Sequence, residues 1–91
     1  MSAISAIERE VLMYAKSSLD HNREEGVKAS EVADSIDRPL QDVLDACEKL
    51  DQKDLIDIEK RKMVKGKAQD LEMHITNKGV DFLAKKDGVP L

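Results

Sequence analysis

Apolar residues recur at intervals of three and four through the first half of this chain and at intervals of two in much of the second. Ile4, Ile7, Val11, Ala15 and Leu19 mark a first helix of about 5–19, opened by Ser5 and Glu8 at capping-box spacing. Leu12, Met13 and Tyr14 widen its apolar side, which places it centrally or against a second subunit. Residues 21–26 form a polar loop ending in Gly26, and Val27-Lys28-Ala29 reads as an extended lead into the next helix. Ser30 stands as that helix's N-cap, with Glu31 beside the positive end of its dipole. Val32, Ala33 and Ile36 fit a short helix of about 31–36, and Val43, Ala46, Cys47 and Leu50 fit a longer one of about 39–53. Asp37-Arg38-Pro39 is the turn between them, because proline disfavours the α conformation at Arg38 and suits the first turn of a helix.

Asp54 falls where a left-handed residue ends a helix. Beyond it the period changes. Ile56 and Ile58 alternate with Asp57 and Glu59, and Leu71, Met73 and Ile75 alternate with acids, His74 and Thr76, as half-buried strands do. Gly66 supplies the turn of an antiparallel hairpin between them. Thr76 caps a last helix with Val80, Phe82 and Leu83 facing inward, and residues 87–91 read as a frayed tail. The fold class expected is α+β, mainly helical, with one domain over residues 1–86: a three-helix core, a two-stranded wing and a C-terminal helix.

This order resembles the winged helix-turn-helix and, more narrowly, MarR- and PadR-type transcriptional regulators and their small archaeal and phage-like relatives. The likeness is carried by Ser30-Glu31-Val32-Ala33, by Val43, Leu50 and Leu55-Ile56, and by Ile75-Thr76-Asn77-Lys78-Gly79. It spans about residues 5–86 and is specific for fold more than for function. The sequence departs from the pattern at Lys28, where the family often caps with serine or threonine, and at Asp54, where glycine is usual. It departs most in the helix that the resemblance assigns to base reading, whose outward positions are Leu40, Gln41, Asp42, Leu44, Asp45 and Glu48.

Charge sharpens that departure. The 91 residues carry a net charge of −4, whereas phosphate binding favours a basic domain. Residues 37–54 hold three bases and six acids, a balance of −3; residues 56–69 hold five bases and two acids, a balance of +3. The molecule is therefore polarised along the axis that would face a duplex. Tyr14 and Phe82 are the only aromatics, so the core is aliphatic and no small-molecule pocket is expected.

Other chemistry is not called for. The lone Cys47 sits on the inner side of its helix as a small core residue, and its being single fits a reducing cytoplasm without disulfides. His21 and His74 have no second ligand at metal spacing, and no phosphate loop, nucleophile elbow or paired catalytic carboxylates occur. No apolar run reaches membrane-spanning length, and acids stand where a secretion signal needs an apolar stretch. The expectation is a cytoplasmic non-enzyme without cofactor or metal.

Two functions remain in view. In the first, the chain binds double-stranded DNA as a dimeric transcriptional regulator. Arg38 holds a phosphate, Gln41 reads adenine, Asp42 accepts from cytosine, and Lys60, Arg61, Lys62, Lys65 and Lys67 grip the backbone. Leu12, Met13 and Tyr14 form the dimer surface, since residues 87–91 are too short for a further dimerisation helix. In the second, Leu40, Leu44 and the acidic helix face dock a basic protein partner without DNA.

Overall fold

Four helices and three strands follow one another in the computed structural model, which describes residues 4–21 and 25–86. They are α1 (Ala6–Asp20), β1 (Val27–Lys28), α2 (Ala29–Ile36), α3 (Leu40–Gln52), β2 (Ile56–Val64), β3 (Lys67–Ile75) and α4 (Asn77–Lys86). The strands form one antiparallel sheet in the order β1-β3-β2. This is the winged helix-turn-helix expected, with a third strand added: Val27 and Lys28 pair with Met73 and Glu72. The predicted tail over residues 87–91 lies outside the described residues.

α1 begins as its sequence dictates. The Glu8 N–H donates to the Ser5 hydroxyl and the Ser5 N–H to the Glu8 carboxylate at 3.0 Å, closing the capping box. Its buried face differs from the stripe expected. Glu8, Val11, Leu12 and Ala15 are buried, whereas Leu19 is 50% exposed. Steps of four residues drift about 40° each around a helix, so a stripe drawn through Val11, Ala15 and Leu19 rotates off the core. The i, i+3, i+4, i+7 set starting at Glu8 stays on it. Leu12, expected at a dimer surface, is thereby corrected to a fully buried residue of this chain's own core. At the other end the His21 ring Nδ1 lies 2.7 Å from the Ser17 carbonyl, as expected of a residue among free carbonyls.

α2 starts two residues earlier than expected. Its N-cap is Lys28, which offers no side-chain cap, and Ser30 lies inside the first turn. The missing cap comes from β3: the Ser30 N–H donates to Asp70 Oδ1 at 3.0 Å, and the Ser30 hydroxyl donates to Asp70 Oδ2 at 2.6 Å. Burial pushes the Asp70 carboxyl up, but the bonds from Ser30 and Leu71, with Lys28 nearby, outweigh it and leave its pKa below the ordinary 3.8.

The last helix is tied where α3 ends. Asp54 takes the left-handed conformation predicted for it, φ 62°, and Leu55 turns the chain into β2. The Thr76 N–H donates to the Leu55 carbonyl at 3.1 Å, the Thr76 hydroxyl donates to the Asp54 carbonyl at 2.7 Å, and the Gly79 N–H donates to that hydroxyl at 3.0 Å. Thr76 is thus the cap of α4 and its clamp onto α3. A Cβ at Gly79 would overlap the Leu55 carbonyl oxygen and crowd Ile75, so the Thr-Asn-Lys-Gly run is a packing requirement.

Around these ties lies an aliphatic core of Val11, Leu12, Val32, Val43, Leu50, Ile56, Met73 and their neighbours. Two stability outcomes follow. Gly79→Ala should cost about 2 kcal/mol or more in denaturant unfolding, as overpacking against backbone does. Asp70→Ala should cost about 1 kcal/mol, the usual loss of a helix cap. Because the folded pKa of Asp70 is depressed, its contribution is present above the ordinary 3.8 and lost as the pH falls through the lower folded value. The stability gap between wild type and Asp70→Ala should therefore narrow on acidification and stay constant between pH 5 and 7, readable from paired melts.

Candidate nucleic-acid interface

α3 is packed on by α1, α2, β2 and β3, so more of its circumference is covered than one stripe would allow. Val43, Leu44, Ala46, Cys47 and Leu50 are buried, and Leu40 is partly buried against the same core. Leu44, expected to be exposed for a protein partner, is 4% exposed and is corrected to a core residue. The open face is polar: Gln41, Asp42, Asp45, Lys49 and Gln52 are exposed and Glu48 is half-buried at its edge. Several of these are already engaged. The Gln41 amide donates to Asp45 at 3.2 Å, and Arg38 pairs with Glu10 of α1 at 3.5 Å. Arg38, Asp42, Asp45 and Lys49 line a shallow groove between α3 and the start of α1.

Beside this face stands the hairpin. Its turn is Lys65-Gly66, with φ of 51° and 78°. Two positive φ values in a two-residue loop are what a right-twisted hairpin needs. The strands run further than their alternation of apolar residues indicated, because two bulges interrupt the register. One lies between Ile58 and Lys60 and makes Glu59 an extra residue of β2. The other lies between Lys62 and Met63, opposite Gln69.

The first bulge decides which charges face α3. Ile58 pairs with Met73, Lys60 with Glu72, Arg61 with Leu71 and Lys62 with Asp70. Leu71 and Met73 are buried, so Arg61 lies on their face of the sheet, while Lys60 and Lys62 lie on the opposite face across from two acids. Simple alternation from Ile56 and Ile58 would have put Lys60 and Lys62 on the inner side instead. Lys28 of β1 also pairs with Glu72, so Lys28 and Lys60 flank that glutamate, a grouping that sequence reasoning missed. The displaced Glu59 pairs with His74 at 3.2 Å.

The five wing bases therefore have three different surroundings. Arg61 reaches across to α3, where its Nε donates to Glu48 Oε2 at 3.1 Å and its Nη2 to Glu48 Oε1 at 2.9 Å. The Arg61 hydrogen bond holds the Glu48 carboxyl below its ordinary value, and Glu48 in turn raises the guanidinium. Lys60 and Lys62 stand opposite acids. Lys65 and Lys67, at the tip, have no ion-pair partner among the described residues, and Met63 and Val64 beside them are 53% and 44% exposed.

The remaining candidates resolve simply. Met13 is 46% exposed, but the Tyr14 hydroxyl donates to Glu31 of α2 at 2.6 Å within this chain. Among the described residues no three His, Cys, Asp or Glu are grouped to hold a metal ion, and no helix is long and apolar enough to cross a membrane. Cys47 is fully buried with its thiol 3.6 Å from the Met73 sulfur. Burial, with Glu48 and Asp70 adding to it, pushes the Cys47 pKa to about 12.

With the geometry established, the chain is similar in structure to two solved mutant forms of MepR from S. aureus, a MarR-family winged-helix regulator. One gives a TM-score of 0.65 and the other, from a multidrug-resistant clinical isolate, 0.67; both are 17% identical and cover 90% of this chain. This chain has the winged helix-turn-helix fold. It spans about half the length of those structures, 55% and 54%. No protein-family model and no curated protein matches the sequence.

One outcome tests the cysteine assignment. A thiol with its pKa near 12 and no exposed surface should react negligibly with a thiol reagent in the native protein at about pH 7.5 and rapidly once unfolded. Fast native labelling would show that the α3–β3 packing opens.

Proposed function

We propose that this chain binds double-stranded DNA as a winged-helix transcriptional regulator, residues 1–86 acting as one domain. α3 enters the major groove, with Gln41 and Asp42 toward base edges and Arg38 near a phosphate. The wing follows the backbone through Lys60, Arg61, Lys62, Lys65 and Lys67. The observation that carries this reading is the exposed polar face of α3 flanked by a hairpin whose tip lysines have no acidic partner among the described residues. The structural likeness to MepR supports it at the level of fold. Cationic contacts per protomer are few, so the proposal includes a dimer on two half-sites, which doubles them. Of the residues expected at its interface, Met13 keeps the exposure such a contact needs.

The competing reading, a protein-docking module without DNA, loses its apolar anchor with the burial of Leu44. What remains for it is an acidic surface on α3 and a half-covered Leu40.

A labelled mixed-sequence duplex, titrated at about 50 and 200 mM salt, tests the proposal. Engagement of four or five cations per protomer should weaken binding about a hundredfold or more over that interval. The Lys62→Glu, Lys65→Glu variant should weaken it more than tenfold at the lower salt. Sedimentation at the same concentrations should give twice the protomer mass. A folded protein that leaves the duplex free at low salt would overturn the reading.

A further inference from the structure

The Glu48–Arg61 pair joins the helix proposed to read bases to the wing proposed to hold the backbone, and its geometry is specific. A guanidinium has two edges that each present a parallel pair of N–H donors, with the Nη2 group shared between them. Glu48 takes the Nε–Nη2 edge, with both of its oxygens engaged. Nη1 donates no hydrogen bond among the described residues, Asp51 of α3 being the one further acid that acts electrostatically on the guanidinium, and the Arg61 side chain is 42% exposed. Arg61 also borders a groove of about 300 Å³ in which Asp70 and Glu72 of the central strand lie between Lys28 of β1 and Lys60 and Lys62 of β2.

We propose that Glu48 is a positioning residue: it grips Arg61 by one edge so that the other edge is held ready for a DNA backbone phosphate. This deepens the DNA-binding reading and rests on it. A long, rotamer-rich side chain loses entropy when a ligand immobilises it, and a carboxylate that fixes it beforehand removes that cost. The bidentate fork also sets the plane of the guanidinium, which a phosphate needs for two parallel contacts and a lysine cannot offer. The extra residue Glu59 is what turns Arg61 toward α3, so the bulge, the fork and the open edge form one arrangement.

Simple charge counting makes the opposite prediction. Glu48 is an acid on a surface that approaches a polyanion, so removing its charge should strengthen binding. If phosphate had to displace Glu48 from Arg61, removal should strengthen it further. The unpartnered edge makes displacement unnecessary, since one guanidinium can serve two anions from its two sides.

Glu48→Gln therefore separates the two by sign. Measured by anisotropy on the same mixed-sequence duplex at about 50 mM salt, it should bind about fivefold more weakly than wild type, within the range expected for one pre-ordered side chain. The salt dependence should stay near that of wild type, because Arg61 keeps its charge. Arg61→Lys should weaken binding at least as much, and the double variant no further, because an ammonium at that position has no fork to be held. Melting temperatures should change little, as the pair is half-exposed.

A readout independent of DNA is the Arg61 Nε proton: slow solvent exchange in wild type, fast in Glu48→Gln. Fast exchange in wild type would show that the fork is not held and would overturn the assignment. So would equal or tighter duplex binding by Glu48→Gln while the Lys62→Glu, Lys65→Glu variant is weakened; the DNA reading would then stand without it. Wild type that leaves the duplex unbound removes both.

Discussion

The carbonyl of Leu55 is the point on which the arrangement of this molecule turns. α3 gives way to a left-handed Asp54 one residue before it, and β2 begins one residue after it. At that carbonyl the returning strand donates the Thr76 N–H, and α4 passes so close that only a glycine fits at position 79. The C-terminus of α3, the base of the hairpin and the start of α4 are thus held within one hydrogen-bonded knot. With β2 leaving from a fixed place and paired with β3 from Ile56↔Ile75 onward, the hairpin has little freedom except to rise beside α3. The placement of the wing next to the exposed helix face is therefore a consequence of local chain chemistry at residues 54–55 and 76–79.

A second feature is that helix ends are satisfied from a distance. α2 lacks a side-chain cap of its own and borrows Asp70 from β3. Glu8 serves twice, closing its local capping box and accepting from Lys53 at the end of α3 at 3.4 Å. Its side chain is only 7% exposed; burial raises its pKa, but the Ser5 and Lys53 contacts prevail and leave it lowered. Each device uses one acid for a backbone terminus and a tertiary tie together. Part of the acidity of the sequence is accordingly internal, and the formal charge of −4 overstates the negative field presented to a partner.

These ties explain what could be read from the chain and what could not. The helices, the Asp54 turn, the Ser5–Glu8 box and the Thr76 cap rest on residues within a few positions of one another, so their spacing shows in the sequence. Ser30 has the look of a cap because serine before an apolar run usually is one; the actual partner lies 40 positions away in sequence. Leu12 and Leu44 read as exposed when a single apolar stripe is assumed, whereas three or four elements enclose the helix. The wing bases read as equivalent because alternation carries no mark of a bulge. One inserted residue, Glu59, separates Arg61 from its lysine neighbours and gives each face a different electrostatic character. Two consecutive charged residues after an apolar alternation, Glu59-Lys60, are consistent with a bulge but do not specify one.

The same register bears on how an acidic helix and a polyanion could coexist. Glu48 is matched by Arg61, while Asp45 accepts from Gln41; Lys60 and Lys62 face Glu72 and Asp70 across the strands. What is left unmatched on the wing is concentrated at its tip, in Lys65 and Lys67. Arg61 touches α3, and the three remaining residues of β2 carry the turn at Lys65 about 10 Å further out. That exceeds the screening length of about 8 Å at physiological salt. Phosphates approached by the tip would feel its lysines largely without the aspartates of α3, and base edges approached by α3 would meet Asp42 and Gln41 with little help from the tip. Charge along the molecule is thus separated by more than a Debye length, which turns an unfavourable total into two local environments of opposite sign. Arg61, anchored to Glu48 at the boundary, is the cation that belongs to both.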